Sequence, residues 1–291
     1  MKSLLAPQNL PALRRLARGR VLLAFDFDGT LAPIVADPTR AHLRPRTRRL
    51  LADVARRYPC VVISGRRRSD VVGRLAGISL RQVFGNHGIE PSPALGAGRR
   101  AVRSWLACLK PRLWHLAGIV LDNKGASLAI HYRKSHNRPA ALKAILAATA
   151  DLADARVLKG ILAVDLLPKN APNKATALQS ELRRLRCQAA LYLGDDQTDE
   201  DVFALGRHSP VLAVRVGREP RSLAPYYLAS QADVDDLLAE LVELSALRAA
   251  KLDRGTLTRV RLLHDRLPPR HRADSPVPRN QCPGQSQTAL R

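Results

Sequence analysis

Val21-Leu22-Leu23-Ala24-Phe25-Asp26-Phe27-Asp28-Gly29-Thr30 decides the fold of this chain. It begins as an uninterrupted apolar run and ends in two carboxylates and a turn. Such a run, bounded by a turn signal, predicts a strand of a parallel sheet buried on both faces. Gly29 permits a sharp exit. Asp26 and Asp28 are two residues apart, so on a continued strand they project from the same side. They would stand at the carboxyl end of the strand, where open α/β sheets bind ligands. An ordinary turn accounts for Asp28 but not for Asp26, whose charge lies between two Phe residues. A charge is costly to bury unless it is paired or holds a metal.

Outward from this strand the alternation continues. A Pro-rich loop over 33–45 leads to a helix over 47–58, with Leu50, Leu51, Val54 and Ala55 on one side. Cys60-Val61-Val62-Ile63 reads as a second buried strand, followed by Ser64-Gly65-Arg66. A helix over 70–75, with Ser69 as its cap, precedes a short strand over 82–84 that ends at Gly85-Asn86-His87-Gly88. Strand–helix–strand alternation predicts an α/β fold with a doubly wound, Rossmann-like parallel sheet. Between Gly88 and Pro168 the order changes. Helices near 99–114 and 139–153 are each followed by a pair of strands, 118–121 with 127–132 and 155–158 with 161–167. The first pair turns at Asp122-Asn123-Lys124-Gly125, the second at Lys159-Gly160. That order suits a small α+β domain inserted into the first. Alternation then returns, with a helix over 174–186, a strand over 189–193, a short helix over 199–205, a strand over 211–216 and an amphipathic helix over 234–247.

The expected division is a lead-in helix within 1–19, a core over 20–88 and 169–249, an insertion over 89–168, and a basic tail over 250–291. The 265–291 stretch reads as disordered, because Pro, Arg, Gln and Ser replace periodic apolar residues there.

Composition narrows the function. With 291 residues and an ordinary apolar fraction, the chain can bury a sizeable core. Cys60, Cys108, Cys187 and Cys282 are scattered, without a Cys-x-x-Cys or Cys/His cluster, so neither a structural zinc site nor a disulfide framework is expected. This favours a reducing, cytoplasmic setting. No apolar stretch approaches a membrane span. Residues 1–20 are basic, but Pro7 and Pro11 interrupt their short apolar stretch, which argues against a secretory signal. The net charge of +23 invites a nucleic-acid partner. Against it, the arginines are spread along the chain without interleaved aromatics. The 251–291 tail carries nine Lys or Arg against three Asp. A positive field equally favours a small anionic substrate such as a phosphate ester.

A second acidic cluster, Gly194-Asp195-Asp196-Gln197-Thr198-Asp199-Glu200-Asp201, follows the apolar run Ala189-Ala190-Leu191-Tyr192-Leu193. A helix N-terminus accounts for Asp199, Glu200 and Asp201, but not for Asp195 and Asp196 at the strand end. Two carboxylate clusters at strand ends suggest a shared metal, and hard oxygen donors favour Mg²⁺. Ser64-Gly65 offers a hydroxyl and backbone N–H groups beside a helix start. Lys174 begins a helix, where a lone lysine is commonly a surface charge.

Together these four points resemble the haloacid-dehalogenase-like superfamily of phosphatases. Asp26-Phe27-Asp28-Gly29-Thr30 is similar to its first motif, Ser64 to its second, Lys174 to its third, and Gly194-Asp195-Asp196 with Asp199 to its fourth. The insertion between the second and third motifs looks like the C2-type cap. Ile63-Ser64-Gly65-Arg66, Gly85-Asn86-His87-Gly88-Ile89-Glu90, His131-Tyr132-Arg133 and Gly194–201 narrow the resemblance to trehalose-6-phosphate phosphatases, over roughly 20–245. Departures are Ala175, where that family usually has Gly after the lysine, and the glycine-free loop 168–173.

The resemblance implies hydrolysis of trehalose 6-phosphate to trehalose and phosphate, the last step of trehalose biosynthesis. Asp26 would be the nucleophile forming an aspartyl-phosphate, and Asp28 the general acid and base. Mg²⁺ would be held by Asp26, the Asp28 backbone carbonyl and Asp195, with Asp199 as a supporting or additional ligand. Ser64 and Lys174 would hold phosphoryl oxygens. Gly65, Arg66, His87, Glu90, Lys124, His131, Arg133 and Asp165 would meet the substrate, with hinges near Gly88 and Pro168. The implied partner is the small-molecule substrate, with no nucleic acid and no membrane; association with a trehalose-6-phosphate synthase is left open. The competing readings are another sugar phosphatase such as one for sucrose phosphate, a catalytically weak regulatory or nucleic-acid-binding protein of this fold, and a phosphomutase.

Overall fold

Every side chain of Val21–Phe25 is buried. Each fully buried Val, Leu or Phe contributes roughly 1.5–3 kcal/mol relative to exposure, so this strand anchors the molecule. The computed structural model describes residues 1–35, 37–91, 95–160 and 162–264. The tail expected over 265–291 lies outside the described residues. Met1–Arg248 form one unit and Ala249–Arg291 a second, of which residues 249–264 are helical.

In chain order the elements are β1 (Lys2–Ser3), α1 (Leu10–Ala17), β2 (Val21–Phe25), α2 (Pro45–Arg57), β3 (Cys60–Ile63), α3 (Arg68–Arg74), β4 (Gln82–Phe84), α4 (Leu95–Leu113), β5 (Val120–Asn123), β6 (Leu128–His131), α5 (Arg138–Thr149), β7 (Ala155–Gly160), β8 (Ala163–Pro168), α6 (Lys174–Arg184), β9 (Ala189–Gly194), α7 (Glu200–Leu205), β10 (Val211–Val216), β11 (Tyr226–Leu228) and α8 (Asp233–His264).

Seven strands form one sheet in the order β1-β11-β10-β9-β2-β3-β4, with every neighbouring pair parallel. Alternate residues of β2 feed two apolar layers. Leu23 and Phe25 join Leu13 of α1, Leu51 and Val54 of α2, and Leu237 and Leu241 of α8 on one face. Leu22 and Ala24 join Ala177 and Leu178 of α6, and Val202 and Phe203 of α7 on the other. Helices therefore cover both faces, as a continuous apolar strand requires. The doubly wound parallel sheet expected from the sequence is present.

The intervening segment forms a separate antiparallel sheet in the order β5-β6-β8-β7. Its period-2 alternation sorts the two faces. Leu128, Ile130, Val164 and Leu166 pack against Val102, Trp105 and Leu109 of α4 and Ile145 of α5. The opposite face carries Val120, Asp122, His131, Ala163 and Asp165 toward a cleft.

Several local expectations are corrected. Ser69 lies inside α3, whose N-cap is Arg67. Lys159 and Gly160 belong to β7, which pairs Gly160 with Ala163, so the chain reverses after them rather than at them. Leu162 there has φ 56°. The last helix runs past 247 to His264. β1 and β11 escaped the sequence reading because each is too short to show a period.

Candidate active site

The chain switches direction across the sheet between β2 and β9. β2 leads to β3 and β4 on one side, and β9 leads to β10 and β11 on the other. The loops at their carboxyl ends part there and leave a crevice. Asp26 and Asp195 are the first residues after these two strands. The backbone of Asp26 still follows the ladder, its N–H donating to Leu193 O at 2.8 Å. This fixes the carboxylate in the crevice.

Carboxylate oxygens of Asp26, Asp195 and Asp199 lie within 4.8 Å of one another. Lys174, the first residue of α6, points its ammonium between two of them, with Nζ 2.9 Å from Asp26 Oδ1 and 2.7 Å from Asp199 Oδ1. Its helix starts at this point because Asn173 and Thr176 form a reciprocal capping box. Lys174 is buried, which sets aside the bland reading of a surface charge. Asp199 is likewise more than a helix-terminal acid. It is fully buried and also accepts from Tyr192 Oη at 2.6 Å and from the backbone N–H groups of Asp195 and Asp196 at 2.9 and 3.0 Å. Those donors use both of its oxygens, so Asp199 braces Lys174 and the Asp195 loop. Asp196 accepts from Gln197 N–H as the N-cap of a 3₁₀ turn, so a capping role explains it.

Three carboxylates thus face one ammonium, and the titration behaviour follows. Burial, with repulsion from Asp199 and Asp195, pushes the Asp26 carboxyl well above the ordinary carboxylate range, although Lys174 opposes this. Burial and the Asp199 charge push Asp195 up to about 7. Burial works against the Lys174 charge, but Asp199 and Asp26 outweigh it and hold its proton more tightly than usual. The whole cluster is short of positive charge, and its donors are hard oxygens.

Asp28 stands farther out, its side chain 39% exposed against 6% for Asp26. Arg66 grips both its oxygens, Nε–Oδ2 at 2.6 Å and Nη2–Oδ1 at 2.7 Å. Ser64 follows β3 in a buried position, its Oγ accepting from Arg66 N–H at 3.2 Å.

A cleft of about 590 Å³ opens above these groups and is lined by Asp26, Asp28, Gly65, Arg66, His87, Lys174 and Asp195 from below, and by Lys124, His131, Arg133 and Asp165 from the antiparallel sheet. Lys124 Nζ donates to Asp165 Oδ1 at 3.0 Å and to Gly65 O at 3.1 Å. Burial opposes the Asp165 charge, yet Lys124 and His87 outweigh it and hold its carboxyl below the usual range. His87 is buried with its Nε2 3.8 Å from Asp165 Oδ2, and burial lowers its pKa below 6.5. Its ring covers Gly65, where a Cβ would lie 2.6 Å from Cε1. His131 faces Asp122 at 3.9 Å, while Tyr132 packs into the apolar layer. Arg133 Nη1 donates to Val35 O at 2.9 Å.

Glu90 and Ser64 are not among the cleft-lining residues. Glu90 Oε2 instead accepts from Arg68 N–H at 2.6 Å, which ties the 85–90 turn to α3. The sequence reading missed Tyr192, Asn86, Asp122 and Asp70. Tyr192 carried a signal, a polar tip within an otherwise aliphatic strand. Asn86 acts through tertiary contacts that no local pattern announces, whereas Asp70 stands four residues from both Arg66 and Arg74, a spacing the sequence does display.

A parallel sheet with a carboxylate pair at its switch point, a buried lysine and an inserted antiparallel sheet defines a phosphatase fold of the haloacid-dehalogenase-like class. The trehalose-phosphatase family model matches residues 24–232, and the chain belongs to that family. Trehalose-phosphate phosphatase of Mycobacterium tuberculosis is 32% identical over 246 residues, covering 77% of this chain and 63% of that protein. Probable trehalose-phosphate phosphatase 3 of Oryza sativa is 27% identical over 268 residues, covering 78% and 71%. The C-terminal domain of the C. albicans trehalose-6-phosphate phosphatase shares the fold, with a TM-score of 0.70 at 22% identity over 81% of this chain and 97% of that one. The chain thus spans under two thirds of the mycobacterial relative. Among the described residues, no helix is long and apolar enough to cross a membrane.

Proposed function

We propose that this chain hydrolyses trehalose 6-phosphate to trehalose and inorganic phosphate. The observation that carries the reading is the placement of Asp26 and Asp195 at the ends of adjacent central strands, with Lys174 between Asp26 and Asp199. Family membership supports the substrate.

In this reading an Asp26 oxygen attacks phosphorus while the bond to the sugar oxygen breaks. Asp28 gives its proton to that oxygen. Asp28 then takes a proton from water as the water attacks the aspartyl-phosphate, which releases phosphate and restores Asp26. Lys174 and Ser64 stabilise the phosphoryl oxygens. Burial suits Asp26 to a fixed nucleophile, and the open position of Asp28 suits it to a group that meets the sugar. Lys124, His131, Arg133, Asp165, His87 and Gly65 form the sugar side of the cleft. Arg66 acts on Asp28, and Glu90 supports the turn that carries His87.

Mg²⁺ fits the cluster by charge and donor type. Asp26, Asp195 and the Asp28 backbone carbonyl would hold it, with Asp199 bracing them. When bound, it would supply the positive charge that lets anionic Asp26 approach an anionic ester. We assign the core to 20–88 and 169–249, and the substrate-covering cap to 89–168, on the change from parallel to antiparallel pairing. A cytoplasmic setting suits the free thiols of Cys60, Cys108 and Cys187.

The test is phosphate release from a panel of sugar phosphates with Mg²⁺, beside Asp26→Asn and EDTA controls. Selective turnover of trehalose 6-phosphate, abolished by both controls, is expected. Turnover of sucrose phosphate alone would overturn the sugar assignment, and an isomeric sugar phosphate without free phosphate would indicate a mutase.

A further inference from the structure

We propose that Asp70 and Arg74 are positioning residues for leaving-group protonation: they hold Arg66, and Arg66 holds the carboxylate of Asp28. The inference rests on the reading of Asp28 as general acid.

Asp28 lies beyond the end of β2, and among the described residues its carboxylate has one partner, Arg66. The orientation of Asp28 is therefore the orientation of Arg66. Arg66 in turn spends four of its five N–H groups inside the protein. Two go to Asp28, one from Nη1 to Asp70 Oδ2 at 3.0 Å, and one from Nη2 to Pro38 O at 2.8 Å. Its guanidinium also lies over the Phe27 ring, 5.6 Å from the centroid. An arginine so engaged is poorly placed to bind a phosphoryl group and well placed to fix a neighbour.

Asp70 and Arg74 are one helical turn apart on α3, and Arg66 precedes Asp70 by the same spacing. Asp70 Oδ1 accepts from Arg74 Nε at 2.8 Å, so each Asp70 oxygen serves one arginine. Arg74 Nη1 then donates to the carbonyls of Thr39 and Ala41. Both arginines are thus pinned to the same 38–41 stretch. The result is a ladder of alternating charge, Arg74–Asp70–Arg66–Asp28, whose far end is backbone.

Its use follows from the chemistry. An oxygen that carries a proton is neutral and a much weaker acceptor for Arg66. When Asp28 is protonated ready to serve the departing sugar oxygen, one of the two Arg66 bonds is weakened while the other keeps the carboxyl group aimed. Asp70 keeps Arg66 in place through that exchange. Once the proton has left with the sugar, both bonds can form again.

The experiment compares release of the leaving group in the first turnover for two esters, because the later activation of water by Asp28 is common to both. A sugar phosphate has an alkoxide leaving group that needs a proton, whereas 4-nitrophenyl phosphate has one that does not. Asp70→Asn is expected to lower the first-turnover rate on trehalose 6-phosphate by about tenfold or more, part of the 10²–10⁴ available to general acid catalysis. First-turnover release of 4-nitrophenolate should fall less than about threefold, and KM should stay near the wild-type value for both. Arg74→Met tests the same ladder from its other end if Asp70→Asn folds poorly, and Asp70→Glu should recover part of the loss. Equal losses on both esters, or no loss, would overturn the positioning role. Asp28→Asn is the control: if it is selective for the sugar ester while Asp70→Asn is not, the ladder fails and the general acid stands. If Asp28→Asn is itself unselective, the reading of Asp28 falls, and the ladder's role with it.

Discussion

Gly29 and Asp195 compete for one space: a Cβ at position 29 would lie 1.9 Å from Asp195 Oδ2 and 2.3 Å from its Cγ. Gly29 also has φ +78°, a conformation that costs other residues about 1–2 kcal/mol. The turn after β2 can therefore bring its backbone against the loop after β9 only without a side chain. Gly29→Ala is expected to displace Asp195 and raise the Mg²⁺ concentration for half-maximal activity by about tenfold or more. A Mg²⁺ titration of phosphate release reads this directly, and an unchanged midpoint would remove Asp195 from the metal set.

The excess of carboxylate in the site has a stability signature. A carboxyl whose folded pKa lies above its unfolded value stabilises the fold while protonated and loses that contribution as pH rises through the folded pKa. Asp26 and Asp195 are both in this position, so the metal-free protein loses stability as pH rises, through about 7 for Asp195. At pH 8 in EDTA, Asp26→Asn should melt above the wild type. Mg²⁺ at about 100 times its Kd should stabilise the wild type by about 2.7 kcal/mol and the variant far less. Thermal melts with EDTA or Mg²⁺ check both, and a variant that melts lower in EDTA contradicts the argument.

His87 gives the opposite slope on the acid side. Burial lowers its pKa below 6.5, so under that pH the unfolded chain binds the proton more readily than the folded one. Stability should then drop as pH falls below 6.5, by at most about 1.4 kcal/mol per unit from this group. His87→Asn should flatten that part of the curve. Urea unfolding at a series of pH values from 7 to 5 decides it, and identical slopes would count against a buried neutral His87.

Asn86 joins the two sheets. It is fully buried, its Nδ2 donates to Lys124 O at 3.2 Å, and its Oδ1 accepts from Ser127 Oγ. These bonds hold the β5–β6 turn from which Lys124 reaches Gly65 O and Asp165. Asn86→Ala leaves a buried hydroxyl and carbonyl without this partner, a loss of about 1–3 kcal/mol. Because the turn carries a cleft residue, the variant should raise KM for the sugar ester more than it lowers kcat. A larger fall in kcat at constant KM would place the effect on the chemistry instead.

The sequence exposed those parts of the molecule whose cause is local. Continuous apolar runs announced β2, β3 and β9, and charges stranded at the ends of β2 and β9 announced the crevice. The tertiary partners were another matter. Lys174 is singled out only by its resemblance to a motif, and its local sequence does not show that its ammonium lies between Asp26 and Asp199. Arg66 is expected to meet the substrate; it lines the cleft, and its bonds to Asp28 and Asp70 are not part of that expectation. Glu90 lies in a recognisable string, yet its carboxylate serves a backbone N–H of α3. The turn between β7 and β8 was misplaced because Lys159-Gly160 looks like turn chemistry, while pairing with β8 held both residues in strand.

The short strand β1 bears on how the protein behaves in a tube. Lys2–Ser3 lies along Tyr226–Leu228 and covers the flank of the seven-stranded sheet, with Leu4 fully buried beside it. Without those residues β11 would present unpaired backbone N–H and C=O groups along an open edge, the kind of surface on which a second chain can add a strand. Trimming the first few residues, a change remote from every catalytic group, would therefore show itself as self-association and loss on concentration, with catalysis per folded molecule intact.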